Sequence, residues 1–427
     1  MQDIEKQTVT EIKKYQEKEL QKLLVYLEKN SPFYQKLFQK NNIDVREIKR
    51  IEDLMKIPAT TKNDLQASNW AFLCVDKNKI VEYCTTSGTM GSPVTIALTE
   101  KDIERLAYNE YLSFTCAGTG ANDIYQFMLT LDRQFMAGIA YYSGLRKLGG
   151  GIIRVGPGNT MMQIDTIQRL NSTVLIAVPS FIINVISHAK EKKIDLNGTS
   201  VRKIICIGEN IRNEDFSLNT LGERIVNHWN VELYSTYAST EKQTAFTECK
   251  HGKGGHHRPD LLVFEVLDEN NKQLPQGEYG ELTITTLGVE GMPLLRYKTG
   301  DICAYHNEPC ACGRTTARIS PIKGRKQQMI KYNGTTLYPQ AVFNLLNSIT
   351  EIEDYVVRVF KNEIGTDEIQ IHIAVKNLNT QADHRIKKIV QSTLRVSPDI
   401  KYVSLPEINQ MQLQEGKRKV SRLLDSR

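Results

Sequence analysis

The sequence predicts an α/β protein in two parts: a large layered α/β N-terminal domain that includes an antiparallel β subdomain, and a small α+β C-terminal domain. Three observations predict it. Between Gly88 and Ser235, short apolar runs of strand length alternate with stretches at helical spacing, as in a layered fold around a largely parallel sheet. After about residue 260 the texture becomes strand, turn and strand. Beyond Gly324 it changes again, to mixed strands and helices over a length that can fold by itself. At 427 residues the chain exceeds one typical domain. The boundary is placed near Gln327, giving domains 1–327 and 328–427.

Residues 9–40 read as helical. Leu20, Leu23, Leu24 and Leu27 share one face and Lys and Glu take the other. Ser31-Pro32 starts a second helix, with proline in its first turn. Pro58 breaks the next segment, and Thr61 can cap the stretch after it. Ile80, Val81 and Tyr83 form a strand that runs into YCTTSGTMGSP (Tyr83–Pro93). There Thr85, Thr86, Ser87 and Thr89 offer hydroxyls, while Gly88 and Gly91 permit close backbone approach. Such a loop can aim several N–H and O–H donors at a polyphosphate. It is not a Walker A loop, because no Gly-Lys-Ser/Thr comes after the glycines. Taken alone, such a turn after a strand is more often an ordinary connection.

Helices are expected at Lys101–Thr115, Ile139–Leu148, Met161–Leu170 and Pro179–Lys190. Strands are expected at Ile152–Val155, Thr173–Val178, Val201–Ile207 and Val231–Ser235. Ligands in such sheets sit at the carboxyl ends of strands, the position read for the loop after Tyr83 and the segment after Tyr234. LLVFEVLDENNKQLPQGEYGELTITT reads as two strands with Pro275 and Gly277 making the bend. In the C-terminal part, Tyr355–Phe360 and Ile369–Val375 are strands and Ala382–Leu394 an amphipathic helix.

Hydrophobic residues make up 40% and charged residues 24%, an ordinary soluble composition. No apolar run approaches a membrane span, and the polar N-terminus lacks a signal-peptide core. Eight cysteines without a disulfide framework suit a reducing cytoplasm. A net charge of +6 on a chain this long permits an anionic ligand such as a nucleotide without requiring nucleic acid.

Further stretches carry chemistry. YSTYASTEK puts Thr240 and Glu241 just past a strand end, LLRYKTGD ends in Asp301 on a tight turn, and GRKQQMIKYNGTTLYP straddles the domain boundary. LQEGKRKVSRLLD places Lys417 after a glycine. Singly, Glu241 is also a helix-start acid, Asp301 a turn residue and the basic tail a solvated face. Together and in this order they resemble the adenylate-forming (ANL) superfamily of acyl-CoA synthetases, and within it the phenylacetate–CoA ligase family. NSPFYQKLFQKNNID, IEDLMKIPATTKNDL, TSGTMGSPV, STVLIAVPSFIINVISHAKE, YASTE, MPLLRYKTGD, CACGRT and GTTLYPQAV carry the resemblance over nearly the whole chain.

The resemblance implies roles, position by position. Thr85, Ser87, Gly88, Thr89 and Gly91 would cradle the β- and γ-phosphates of ATP. Glu241, with Thr240 beside it, would hold Mg²⁺. Asp301 would accept hydrogen bonds from both ribose hydroxyls, with Arg325 assisting. Gly208 and Glu209 would lie along the adenine, and Tyr237, with Ala238 and Ser239 after it, near the base or the acyl group. Lys417 would reach the carboxylate and α-phosphate, with Lys419 its rival. It further implies a mobile C-terminal domain pivoting at 324–327, CoA as the acyl acceptor, and a homodimer. The sequence departs from the superfamily pattern at Met90, Ser92, Ala238 and Gln327. Ser92 removes a cation from the phosphate loop, and Gln327 puts a neutral residue where the hinge usually has an acid.

Cys249, His256, Cys310 and Cys312 form a separate Cys₃His set that suits tetrahedral zinc, with His251, His257 and His306 as substitutes. From spacing alone, reduced surface cysteines are the stronger reading. Zinc at matching positions in some phenylacetate–CoA ligase relatives reverses that balance. Four protein ligands would make the site structural. The leading functional expectation is an ATP-dependent ligase that adenylates an aromatic acid and passes it to CoA. Arg133 is a candidate for pairing with a polar substrate. The alternatives are acyl transfer to a carrier protein or other acceptor, and a degenerate nucleotide-binding protein.

Overall fold

The computed structural model describes residues 3–86, 93–332, 335–363, 365–413 and 421–427. These group into two compact units, residues 1–299 with 303–321, and residues 300–302 with 322–427.

The first unit opens with the helices Val9–Asn30 and Pro32–Lys40, capped by Thr8 and Ser31. Thr8 and Glu11 form a reciprocal capping box, and Leu20, Leu23, Leu24 and Leu27 are buried along one face. At the centre lies a nine-stranded sheet. Its parallel half runs Gly151–Arg154, Ile124–Phe127, Val174–Ala177, Lys203–Ile207 and Glu232–Ser239. The order then continues antiparallel through Thr244–Thr247, Gly255–His256, Arg318–Ile319 and Tyr305–His306. Helices packed against this sheet bury its apolar strands: Ile182, Val185 and Ile186 meet Leu175, Ile204 and Trp229 in one core cluster. Tyr141 and Leu145 meet Phe127 and Ile176 in another.

Three expectations change here. The strand Ile80–Thr85 is outside the central sheet and pairs antiparallel with Thr95–Thr99. The strand that leads into the glycine-rich stretch is therefore antiparallel and outside the central sheet, so that stretch does not follow the carboxyl end of a parallel strand. The bend between Leu262–Leu267 and Gly280–Thr286 is built first at Asp268, whose carboxylate accepts from the N–H groups of Asn270 and Lys272. Pro275 and Gly277 make a second turn after it. Asp301 lies within the strand Tyr297–Cys303 rather than on a tight turn.

The N-terminal segment is tied down by charge. The buried Glu5 carboxylate takes Arg258 and Arg314 together, and Glu5 O accepts from Thr315 N–H at 2.9 Å.

In the second unit Asp301 pairs with Arg325 and Ile302 with Gly324. A four-stranded sheet runs Asp399–Tyr402, Asp367–Val375, Ile352–Lys361, Leu423–Asp425, antiparallel at its centre and parallel at both edges. The clean alternation of Ile369, Ile371 and Ile373 turns them onto one face, against the helices Pro339–Ser348 and Thr380–Leu394. Ile408, from Leu405–Gln412, packs with Val356 and Ala374. Among the described residues no helix is long and apolar enough to cross a membrane.

Candidate active site and metal centre

The strands Lys203–Ile207 and Glu232–Ser239 are parallel neighbours, with Ile207 opposite Thr236. Gly208 and Tyr237 therefore leave the same carboxyl edge of the sheet side by side. Gly208 has φ +76°, which turns the chain sharply there. The Glu209 carboxylate accepts from Ser180 N–H and Ser180 Oγ, both at 2.9 Å, and so caps the helix Pro179–Glu191. Its side chain thus fixes the edge structurally.

Tyr237, Ala238 and Ser239 are the last residues of their strand, and they pair with Phe246, Ala245 and Thr244. Thr240, Glu241, Lys242 and Gln243 form the tight connection between the two strands. The chain enters a strand there and not a helix, so the helix-start reading of Glu241 falls away. Glu241 is half-buried on this turn. Gln243 has φ +51°, and Lys242 N–H reaches Ser239 Oγ at 3.4 Å.

Two residues that sequence reasoning missed hold this turn. Lys242 is fully buried, its Nζ 3.1 Å from the centroid of the Tyr237 ring. Arg105, on the helix Glu100–Cys116, donates to Gln243 O at 2.7 Å, Thr244 Oγ1 at 3.0 Å, Leu261 O at 2.5 Å and Leu287 O at 2.7 Å. One guanidinium thus joins the base of the Glu241 turn to two further segments. Burial pulls the Arg105 guanidinium down to about 10.

At the glycine-rich loop, Thr86 N–H donates to Val94 O at 2.9 Å and Val94 N–H to Thr86 Oγ1 at 3.1 Å, which closes the base of the loop. Thr85 N–H donates to Gln134 O at 3.0 Å. Ser87, Gly88, Thr89 and Gly91 lie outside the described residues, as do Met90, Ser92, Lys417 and Lys419. Arg133 sits exposed beside Asp132 at φ +59°.

In the second unit, Asp301 is 5% exposed and its carboxylate accepts from Arg325 Nε at 3.2 Å. The two are also cross-strand partners, so backbone register sets the pair.

Cys249, His256, Cys310 and Cys312 converge: their ligand atoms all lie within 4.8 Å of one another. Cys249 Sγ is 3.6 Å from Cys310 Sγ, and Cys312 Sγ is 3.6 Å from His256 Nε2. Tetrahedral zinc with Zn–S bonds of about 2.3 Å requires sulfur atoms about 3.8 Å apart, so the cluster fits the ion. His256 Nδ1 lies 3.2 Å from Thr316 Oγ1, which leaves Nε2 facing the sulfurs. Burial, together with Arg258, Arg314 and Arg318, pushes the imidazole down to about 2, so it stays neutral, as a ligand must. Burial pushes the Cys249 thiol up to about 12. For Cys312 burial also raises the thiol, but hydrogen bonds from Arg314 outweigh it and bring the thiol below its ordinary value. His257 gives its ring to Leu262 O and His306 packs on Phe216, so neither joins the set.

Residues 6–291 match the family described as AMP-binding enzyme, and residues 334–427 match the AMP-binding enzyme C-terminal domain. The chain belongs to the AMP-binding enzyme family. It is similar to the phenylacetate–coenzyme A ligase of Thermus thermophilus, 27% identical over 441 residues that cover 96% of each chain. It is also similar to that of Aromatoleum evansii, 28% identical over 350 residues that cover 81% of this chain and 78% of the other. A crystal structure of 2-hydroxyisobutyryl-CoA ligase in the postadenylation state matches with a TM-score of 0.86 at 20% identity, covering 99% of this chain and 91% of that one. The fold is that of the adenylate-forming ligases.

Proposed function

We propose that the protein is an ATP-dependent acyl-CoA ligase that activates an aromatic, phenylacetate-like carboxylic acid and transfers it to CoA. The observation that carries this reading is the order of the two family matches, 6–291 then 334–427, on a chain aligned end to end with a phenylacetate–coenzyme A ligase.

In the first step a carboxylate oxygen bonds to the α-phosphorus of ATP and the bond to the bridging oxygen breaks, releasing pyrophosphate and leaving acyl-AMP. In the second the CoA thiolate attacks the acyl carbon and AMP leaves. Two anions must meet, so positive charge and hydrogen-bond donors have to flank the reacting centre. Thr85, Ser87, Gly88, Thr89 and Gly91 supply donors to the β- and γ-phosphates. A bound Mg²⁺ would supply positive charge against the leaving pyrophosphate. Glu241, with Thr240, offers the acceptor that holds it, on a turn that Arg105 braces. Gly208, Glu209, Tyr237, Ala238 and Ser239 line the nucleotide along the sheet edge. Asp301 is an acceptor-only carboxylate suited to a ribose diol, and Arg325 keeps it oriented. Lys417 brings a mobile point charge to the attacking carboxylate.

Cys249, His256, Cys310 and Cys312 hold a structural zinc in this reading. Cytoplasmic residence agrees with eight free cysteines, and a homodimer is drawn from family resemblance.

The test is carboxylate-dependent ATP–pyrophosphate exchange with Mg²⁺ and without CoA, across aryl, aliphatic and amino acids. Exchange confined to arylacetic and related acids is expected, with thioester formation on addition of free CoA. Transfer to a carrier protein but not to CoA would replace the acceptor. Protein that binds ATP yet exchanges with no acid would overturn the reading.

A further inference from the structure

Arg427 has five N–H donors, and each meets an acceptor of the second unit. Nε donates to Asp425 Oδ1 at 2.9 Å and Nη2 to Asp425 Oδ2 at 2.6 Å. Nη1 donates to Asp367 Oδ2 at 2.8 Å and to Met329 O at 2.7 Å, and Nη2 also donates to Gln327 O at 3.3 Å. The side chain is 11% exposed, and the two carboxylates 8% and 6%. Asp367 is itself held: its Oδ2 accepts from Lys331 N–H at 2.9 Å, and its Oδ1 takes Lys361 Nζ at 3.2 Å.

Gln327 O belongs to the segment that the ligase reading makes a hinge, and Met329 O lies two residues beyond it, at the end of the turn that starts there. Lys326–Gln328 is a single 3₁₀ turn, and its last carbonyls have no partner within the turn. Arg427 supplies that partner. It stands just beyond Leu423–Asp425, the edge strand that begins a few residues after Lys417.

We propose that Arg427 is a positioning residue that clamps the hinge turn to the strand next after the lysine segment. Gln327, Met329 and the strand then move as one body, and rotation takes place before Gln327. The clamp fixes the turn by charge-assisted bonds from the carbonyl side, at a position where Gln327 itself brings no charge. A lysine cannot replace it, because one ammonium with three donors cannot reach five acceptors set out for a planar fork. This inference rests on the ligase reading for its effect on turnover, but not for the clamp itself.

The experiment compares the full chain with Arg427→Lys and Arg427→Ala. Three quantities are read: carboxylate-dependent pyrophosphate exchange, single-turnover transfer from supplied acyl-adenylate to CoA, and amide hydrogen exchange at Met329 and Lys331. In Arg427→Lys, misplacing the lysine segment is expected to lower pyrophosphate exchange roughly ten- to hundredfold while acyl transfer from the supplied adenylate stays within about threefold. Protection of both amides is expected to fall in both variants. Equal losses in the two half-reactions that track the thermal midpoint would overturn the positioning role. If the wild type catalyses neither half-reaction, the ligase reading fails, and the amides alone decide: unchanged protection in Arg427→Ala overturns the clamp, and lost protection sustains it.

Discussion

Replacing Arg105 by Met removes the guanidinium that braces the Glu241 turn while keeping a side chain of similar length. Four hydrogen bonds from a cation to buried acceptors are lost. At about 1.5–3 kcal/mol each, these amount to roughly 6–12 kcal/mol gross. Against this stands the burial that pulls Arg105 down to about 10, which costs the wild type roughly 3 kcal/mol that Met recovers. The net lies between about 3 and 9 kcal/mol, and relaxation around a shortened network favours the lower end. For a unit of this size the thermal midpoint should then drop by about 6 °C. Thermal unfolding monitored by circular dichroism reads the stability, and the Mg²⁺ dependence of pyrophosphate exchange reads the turn. Arg105→Met should need more Mg²⁺ for half-maximal exchange. A variant with a wild-type midpoint and wild-type Mg²⁺ dependence would refute the claim that Arg105 holds this turn.

Three other outcomes are expected. Burial pushes the Glu110 carboxyl up to about 8, so the folded chain keeps a proton that the unfolded chain releases. Stability therefore falls as pH rises from the ordinary carboxylate range through 8, by on the order of 5 kcal/mol, and Glu110→Gln should flatten that slope in denaturant melts at pH 5, 7 and 9; equal slopes would count against it. Cys312→Ser should reduce tightly bound zinc measured by elemental analysis and lower the thermal midpoint by several degrees, whereas full zinc retention would remove Cys312 from the ligand set. Lys417→Ala should cut pyrophosphate exchange by about a hundredfold or more with an unchanged circular dichroism spectrum, and surviving exchange would pass the role to Lys419.

The helices were legible because their apolar residues recur at helical spacing, as in Pro179–Glu191, and most parallel strands because they are short continuous apolar runs, as in Val174–Ala177. The convergence of the Cys₃His set was legible because few side chains suit zinc. Ile124–Phe127 and Thr95–Thr99 were not read, being strands of four and five residues with no alternation to mark them. Asp301 looked like a turn residue because Gly300 precedes it. That glycine does take φ +77°, but inside a strand whose register is set by Arg325, 24 residues on.

The sequence marked the helix Glu100–Cys116 to within a residue at each end but did not reveal what its inward face does. Its inward face carries Asp102, Arg105, Asn109, Glu110 and Ser113, all buried, where hydrophobic periodicity would place leucines. The reason lies in the segments that the helix faces. Asp102 accepts from Glu290 N–H at 2.7 Å and Gly291 N–H at 2.9 Å, and Asn109 Oδ1 accepts from Ala245 N–H at 3.0 Å. Arg105 takes three carbonyls and a hydroxyl between them. Irregular segments bring buried backbone groups that no sheet or helix ladder satisfies, and an apolar helix face would leave them unpaired. A polar face pairs them and fixes the spacing of segments far apart in sequence. Substituting Asn109 should therefore loosen the strand that follows the turn Arg105 holds, and substituting Asp102 the segment at Glu290 and Gly291, which makes this helix, rather than the sheet edge alone, the element that braces the base of the Glu241 turn.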